Sequence, residues 1–392
     1  MKSFNFRFFI LVLISFTLGC GEFLVSGILN DLASSFNHSL ASVGLLVTIF
    51  ALVYAICTPL ITLFVGRFRY YQTFKILMVV YIIGLVLSAL ASTYWMMVLA
   101  RIVTAAVSGS LLSVALTFGN AIAPPEKRGF TIAWIFSGFS IASVVGLPVG
   151  TYVAHIAGWQ SSFWVVAILS IITFGLSLLS LPSDLKADYD EQQDSPLVLL
   201  KDPLIWLGVL VPLFWSAGIN TFHTYIAPII TDVLHFGPVM LSTILAVIGI
   251  ISIFSSQMSG ILANHHGLRK MPIIFVVEIV LFLVIGFAYQ NVALALTLIF
   301  LMESMFNFLG SSITIHFLDV AEKFYPQSVV FASSLNPVFF NLGISLGSAS
   351  GSAIISGPGL RYINYGSIGF IIISLGILLL LNRQIVVRKL DK

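Results

Sequence analysis

The stretch Gly19-Cys20-Gly21-Glu22-Phe23, continuing through Ser26-Gly27 to Asn30-Asp31, decides how this chain is read. Upstream, from Phe8 to Leu18, every residue is apolar except Ser15 and Thr17. A carboxylate then appears about two-thirds of the way along a segment long enough to cross a bilayer. An acid at mid-membrane costs roughly 2.5–3.5 kcal/mol on insertion scales, so it is rare there without a task. Glu22 is therefore the candidate for taking up and releasing a proton inside a membrane protein.

Composition excludes a soluble reading. Hydrophobic residues make up 59% of the 392 and charged residues 8%, against roughly 25% charged in a soluble domain. A net charge of +3 is too small to point to a nucleic-acid partner. Cys20 and Cys57 both lie in apolar spans and have neither a disulfide framework nor metal-ligand spacing, so no metal is expected. Lys2 and Arg7 followed by an apolar run into Cys20 look superficially like a lipoprotein signal. Thr17 stands where such signals usually have Leu, and the apolar pattern continues to Leu29, so the segment reads as a first transmembrane helix.

A helix needs about 20 apolar residues to cross the hydrocarbon. That ruler predicts spans near 8–30, 42–64, 75–92, 95–119, 131–154, 162–181, 204–228, 239–262, 271–289, 292–315, 329–353 and 362–382, with Gly158-Trp159-Gln160 separating the fifth from the sixth. All but two of the 18 Lys and Arg, Arg101 and Arg361, fall in even-numbered connections or termini. The positive-inside rule puts both termini in the cytoplasm. The polar stretch Pro182–Asp202, with Asp184, Asp188, Asp190, Glu191 and Asp194, reads as a solvated cytoplasmic linker. The expected organisation is an all-α polytopic membrane protein: a six-helix bundle over 1–181, a linker over 182–203 and a second six-helix bundle over 204–392. A six-plus-six division suggests an internal repeat. Gly138, Gly146, Pro148 and Gly150 in span five match Gly343, Gly347 and Gly351 in span eleven, where small residues let helices approach closely.

Several stretches resemble the major facilitator superfamily. Gly260-Ile261-Leu262-Ala263-Asn264-His265-His266-Gly267-Leu268-Arg269-Lys270 is similar to its signature loop, with Asn264 where Asp is usual. Val65-Gly66-Arg67-Phe68-Arg69 is a more degenerate copy in the first half. Arg101 with Thr104 and Gly109 resembles the family's membrane-embedded arginine motif, and Gly146-Leu147-Pro148-Val149-Gly150 resembles its antiporter motif. Glu22-Phe23 through Gly27-Ile28-Leu29-Asn30-Asp31, with Ala217-Gly218 to Pro228, resembles bacterial drug:proton antiporter-1 exporters of drugs, sugars and purine nucleosides. The chain has Ile219-Asn220 where some relatives carry His-Tyr.

Glu22 and Arg101 fall at similar depths on spans running in opposite directions. A permanently charged guanidinium in lipid needs a carboxylate or carbonyl partner. The two residues form either a proton-coupling pair or a fixed ion pair. Nine residues separate Asp31 from Glu22, which at about 100° per residue puts them on opposite faces of a regular helix. Asp31 then caps the helix end, or, as the resemblance allows, partners Arg101. Ser216, Asn220 and His223 on span seven, Glu303, Phe306, Asn307 and Thr314 on span ten, and Asn336-Pro337 with Asn341 interrupting span eleven make a candidate substrate face in a central cavity. Each polar group is also explicable as a helix–helix hydrogen bond, and His223 as solvated near a span end. Glu278 is expected to pair with a cytoplasmic loop. Arg67, Arg69, Asn264, Arg269 and Lys270 either latch the cytoplasmic side or only set topology.

Taken together, the residues and the resemblance imply a monomeric bacterial inner-membrane secondary transporter. It would export a small organic solute in exchange for protons by alternating access, with no cofactor beyond the proton gradient. An importer or facilitator of the same fold is the alternative. A polytopic enzyme or receptor is a further one, but no Ser/His/Asp set, metal cluster or nucleotide-binding loop is in view.

Overall fold

The computed structural model describes residues 4–65, 70–124, 128–182, 196–263, 267–325 and 328–388. Lipid offers the backbone no hydrogen-bond partner, so apolar spans must close their bonds internally. Accordingly, the described residues form helices and no strand. In chain order these are α1 (Phe4–Gly27), α2 (Leu29–Phe36), α3 (Leu40–Val65), α4 (Tyr70–Ala89), α5 (Tyr94–Ile122), α6 (Arg128–Ile141), α7 (Leu147–Ala157) and α8 (Trp159–Ser180). Then come α9 (Pro203–His223), the single turn α10 (Ile226–Pro228), α11 (Pro238–Ala263), α12 (Gly267–Ala288), α13 (Val292–Glu303), α14 (Phe308–Phe324), α15 (Val329–Ser356) and α16 (Ile363–Val387). Among the described residues, 12 segments are long and apolar enough to cross a membrane.

Helix starts follow local chemistry. The Thr93 hydroxyl accepts from the Met96 N–H at the head of α5, and Asn291 does the same for Leu294 at α13. Asp202 accepts from the Leu204 N–H, with Pro203 in the first turn of α9 where its missing N–H costs nothing. Between α7 and α8, Gly158 sits at φ +84°, a left-handed conformation that glycine adopts without steric cost.

Prolines leave distinct marks. Pro148 lacks the N–H that residue 144 would need, and the preceding turn, Ala142–Gly146, is π-helical, with the Leu147 N–H reaching back to the Ala142 oxygen. Pro228 is followed by a second π-helical turn, Ile229–Val233. Pro337 behaves differently. The interruption of span eleven expected at Asn336-Pro337 does not occur: α15 runs unbroken from Val329 to Ser356. The break is in span ten instead, at the turn residues Ser304–Asn307, so that segment extends to Phe324 rather than ending near 315.

Contacts divide the chain into two compact units, Met1–Tyr189 with Phe236–Gly249, and Asp190–His235 with Ile250–Lys392. Each is built on a glycine-lined helix pair. In the first, Gly138, Gly146 and Gly150 lie where a Cβ would strike Ser15, Cys20 and Leu24 of α1. In the second, Gly343, Gly347 and Gly351 of α15 meet Leu213, Ala217 and Thr221 of α9 at backbone level. The close approach read from the glycine spacing is therefore present in both units.

Candidate functional site

Among the described residues of the first unit, one cation is buried. Arg101 sits in the third turn of α5 and is 1% exposed. Its Nη1 donates to the Gly21 main-chain oxygen at 2.6 Å and its Nη2 to the Glu22 main-chain oxygen at 3.2 Å. The guanidinium plane lies over the Phe50 ring of α3, 4.0 Å from its centroid. Burying an ion costs several kcal/mol even after relaxation. Two charge-assisted hydrogen bonds at about 1.5–3 kcal/mol each, with a desolvated cation–π contact of about 2 kcal/mol, are enough to offset that. Tyr81 of α4 donates its hydroxyl to the Thr17 oxygen at 2.8 Å, one helical turn before Gly21, and pins the same stretch of α1.

The fixed ion pair considered between Glu22 and Arg101 is not what holds the guanidinium. Arg101 bonds the main chain of residues 21 and 22, while the half-buried Glu22 carboxylate remains its electrostatic neighbour. Nor is Asp31 the partner of Arg101. It is an exposed residue in the first turn of α2, beyond the bend at Ile28, and its charged neighbour is His155. Partial burial holds the Asp31 carboxyl above its ordinary value, with His155 pulling the other way.

The second unit gathers a different set. His223 ends α9 and Glu303 ends α13, and the imidazole Nδ1 lies 2.9 Å from the carboxylate Oε1. Glu303 is 0% exposed and its Oε2 has no hydrogen-bond partner, whereas the His223 side chain is 22% exposed. Phe306, in the turn after α13, packs on the imidazole with ring centroids 4.9 Å apart. Phe306 also touches Trp215 and Phe340, so aromatic surface continues away from the imidazole on that side. The solvated His223 of the sequence reading is thus corrected: a break in each helix brings the histidine onto a buried acid.

Glu278 is likewise not paired with a loop. It is 0% exposed in the middle of α12 and accepts the Trp215 indole N–H at 3.0 Å. Asn220 donates to the main-chain oxygen and hydroxyl of Ser216, whose hydroxyl in turn donates to the Phe340 oxygen. Other predicted members disperse. Asn307 donates its amide to the Ser252 oxygen of α11, Asn336 binds Gly310 and Thr314, and Asn341 donates back to the Pro337 oxygen. Of the signature-loop residues, Arg67, Arg69 and Asn264 lie outside the described residues. Gly260 faces open space, Gly267 abuts Ser312 at the start of α12, and Arg269 and Lys270 are exposed.

A buried arginine clamped to a broken first span and a matching glycine-lined helix pair in each unit place the chain among polytopic transport folds, and comparison decides which. The family model described as Major Facilitator Superfamily matches residues 11–330. The chain belongs to that superfamily.

It is therefore a transporter with the major facilitator fold, and its relatives are transporters rather than enzymes. The chain is 26% identical to "Uncharacterized MFS-type transporter YbcL" of Bacillus subtilis over 385 residues, covering 97% of each chain. It is 27% identical to "Inner membrane transport protein YdhP" of Escherichia coli, over 96% of this chain and 95% of that one. A "Probable sugar efflux transporter" of Haemophilus influenzae is also 27% identical, over 94% and 93% of the two chains. Among solved structures, a D-xylose-proton symporter superposes with a TM-score of 0.79 at 16% identity, over 96% of this chain and 97% of that one. That similarity bears on the fold alone.

Within this facilitator, residue type carried Glu22, Arg101, His223 and Glu303 into view as ionisable groups in apolar spans. Phe50 and Tyr81 carried no such signal: an aromatic residue in an apolar helix looks the same whether it supports a guanidinium or faces lipid. Trp215 was equally silent. Its role shows only through the carboxylate that takes its N–H.

Proposed function

We propose that this facilitator exports a small organic solute in exchange for protons, by alternating access. The carrying observation is that Arg101 is held by the main-chain oxygens of Gly21 and Glu22, and Glu22 keeps its carboxylate uncommitted beside a permanent cation. An acid in that position is free to exchange a proton or meet a ligand. Glu22 and Arg101 are the proton-coupling residues of this reading. Asp31 lies apart from them, in the first turn of α2. His223, Glu303, Phe306 and Asn220 form the solute-facing group, with Asn307, Asn336 and Asn341 in supporting helix contacts.

Relatives named sugar efflux transporters favour the outward direction and a solute of small-molecule size. The distribution of Lys and Arg favours both termini in the cytoplasm of a bacterial inner membrane. The chain acts as a monomer driven by the proton gradient without a cofactor. Inverted vesicles with an acid interior, given radiolabelled arabinose, a purine nucleoside or a drug in turn in the outer medium, test the reading. Accumulation that collapses with the pH gradient and with Glu22→Gln supports it. Accumulation indifferent to both would refute proton exchange.

A further inference from the structure

The geometry points to a cation-exchange site at the His223–Glu303 pair, at which an amine-bearing solute takes the place of the His223 imidazolium on the Glu303 carboxylate. This rests on the export reading for its direction, but the binding chemistry stands separately.

Three observations in the second unit carry it. First, Glu303 is wholly buried, its Oε2 has no partner, and the only side chain bonded to its Oε1 is a histidine. A carboxylate so placed is costly unless a cation accompanies it. Second, the cation that accompanies it is the accessible member, since the His223 side chain retains 22% exposure while Glu303 has none. A ligand approaching the pair meets the imidazole first. Third, the surroundings are aromatic: Phe306 lies on the imidazole, with Trp215 and Phe340 beyond it. An aromatic face on the imidazole, at the place an incoming solute would take, suits an organic cation with an apolar body, through ring quadrupole and burial together.

Among the described residues, no other charged side chain is bonded to the pair. Of the elements packed on α9 and α13, α15 contains no Asp, Glu, Lys, Arg or His. From α12, Glu278 bonds to Trp215 rather than to either partner. His316 of α14 lies against Gly208, about four turns down α9 from His223. On the same helix Asp319, Glu322 and Lys323 lie further towards its C-terminus, and α16 carries only Tyr365 and Arg383.

The exchange balances. An ammonium N–H of the solute takes up the bond to Glu303, the imidazolium N–H bond breaks, its proton passes to water, and His223 leaves as a neutral ring. Glu303 keeps one cation throughout, so no bare charge is ever buried. Solute binding and proton release become one event, and the affinity for amine falls as pH drops and the imidazolium is favoured.

The test uses the full-length protein in nanodiscs without an imposed gradient. Titration calorimetry would compare phenethylamine with its neutral counterpart 2-phenylethanol and with glucose, in two buffers of different ionisation enthalpy. The expected result is at least tenfold tighter binding of the amine, release of about one proton per amine, and affinity rising with pH. His223→Gln keeps a hydrogen bond to Glu303 without a titrating proton. There the buried Glu303 must hold the proton itself in the empty site, so amine binding still releases a proton but the pH at which it does so moves. Glu303→Gln should lose the amine preference at least tenfold. Wild-type protein that ignores phenethylamine, binds 2-phenylethanol or glucose as tightly, or shows the same pH dependence of proton release in His223→Gln would overturn the proposal. Each of those outcomes leaves proton-driven export through Glu22 intact. Conversely, a failure of export in vesicles leaves this binding result standing.

Discussion

Arg101 reaches Glu22 through the main chain and not through the carboxylate: its guanidinium spans the carbonyl oxygens of Gly21 and Glu22 at 2.6 and 3.2 Å. The positive charge is thereby anchored by groups that cannot titrate. Whatever the Glu22 side chain does, the α1–α5 contact persists.

That separation makes Glu22→Gln a clean probe. The Arg101 hydrogen bonds to the main chain should remain, so the effect on folding is confined to one electrostatic neighbour of the guanidinium. Coupling of transport to the pH gradient should disappear. Thermal melting together with vesicle flux checks both halves.

Arg101→Lys should be the damaging exchange, although it conserves charge. An ammonium cannot span two carbonyl oxygens in one plane or stack flat on Phe50. A loss of about 1–3 kcal/mol is expected, from one lost charge-assisted bond. Denaturation in mild detergent would measure it, with Arg101→Lys melting well below Glu22→Gln.

Asp31→Asn should preserve proton-driven flux. Its side chain is exposed on α2, next to His155 and away from Arg101. Its carboxyl is raised by partial burial, so the proton is held more tightly in the folded protein than in the unfolded chain. The linked stabilisation is present below the ordinary carboxylate range and is lost as pH rises through the raised value. The Asn variant should therefore lack that acid-side dependence while transporting normally. Loss of coupling in Asp31→Asn would show that the α2 acid belongs to the proton path.

Glu278 and Trp215 predict a pair of opposite outcomes. Glu278→Gln retains an oxygen for the indole N–H and should melt close to wild type. Glu278→Leu leaves that N–H buried and unsatisfied, at a cost of about 1–3 kcal/mol. It should also shift the emission of Trp215, which a merely peripheral α12 residue would not do.

The glycines separate packing from propensity. Gly347→Ala puts a methyl group against the Ala217 oxygen of α9, and overpacking of that kind costs about 1–3 kcal/mol. Gly376→Ala meets nothing within 4 Å and should gain about 0.5–1 kcal/mol of helix stability. Equal melting shifts for the two would sink the close-packing account of α9 and α15.

Sequence by itself determined whatever depends on the solvent being lipid. Span number follows from hydrocarbon thickness, and the need of Glu22, Arg101 and Glu303 for some compensation follows from the cost of placing ions there. The glycine spacing in spans five and eleven foretold close helix contact, because a missing Cβ is a property of the residue. Only the tertiary structure decided who meets whom. Arg101 could have been satisfied by a carboxylate or by carbonyl oxygens, and α1 offered both within one turn. His223 read as an end-of-span residue until the turns after Glu303 and His223 brought the two together. Glu278 had an indole to find, not a loop. Pro337 was tolerated inside α15, while Ser304–Asn307, with no proline, broke the chain. Lipid penalises a buried polar group left unpaired, but the choice of partner depends on helix rotation and bending, which span-level hydropathy does not encode.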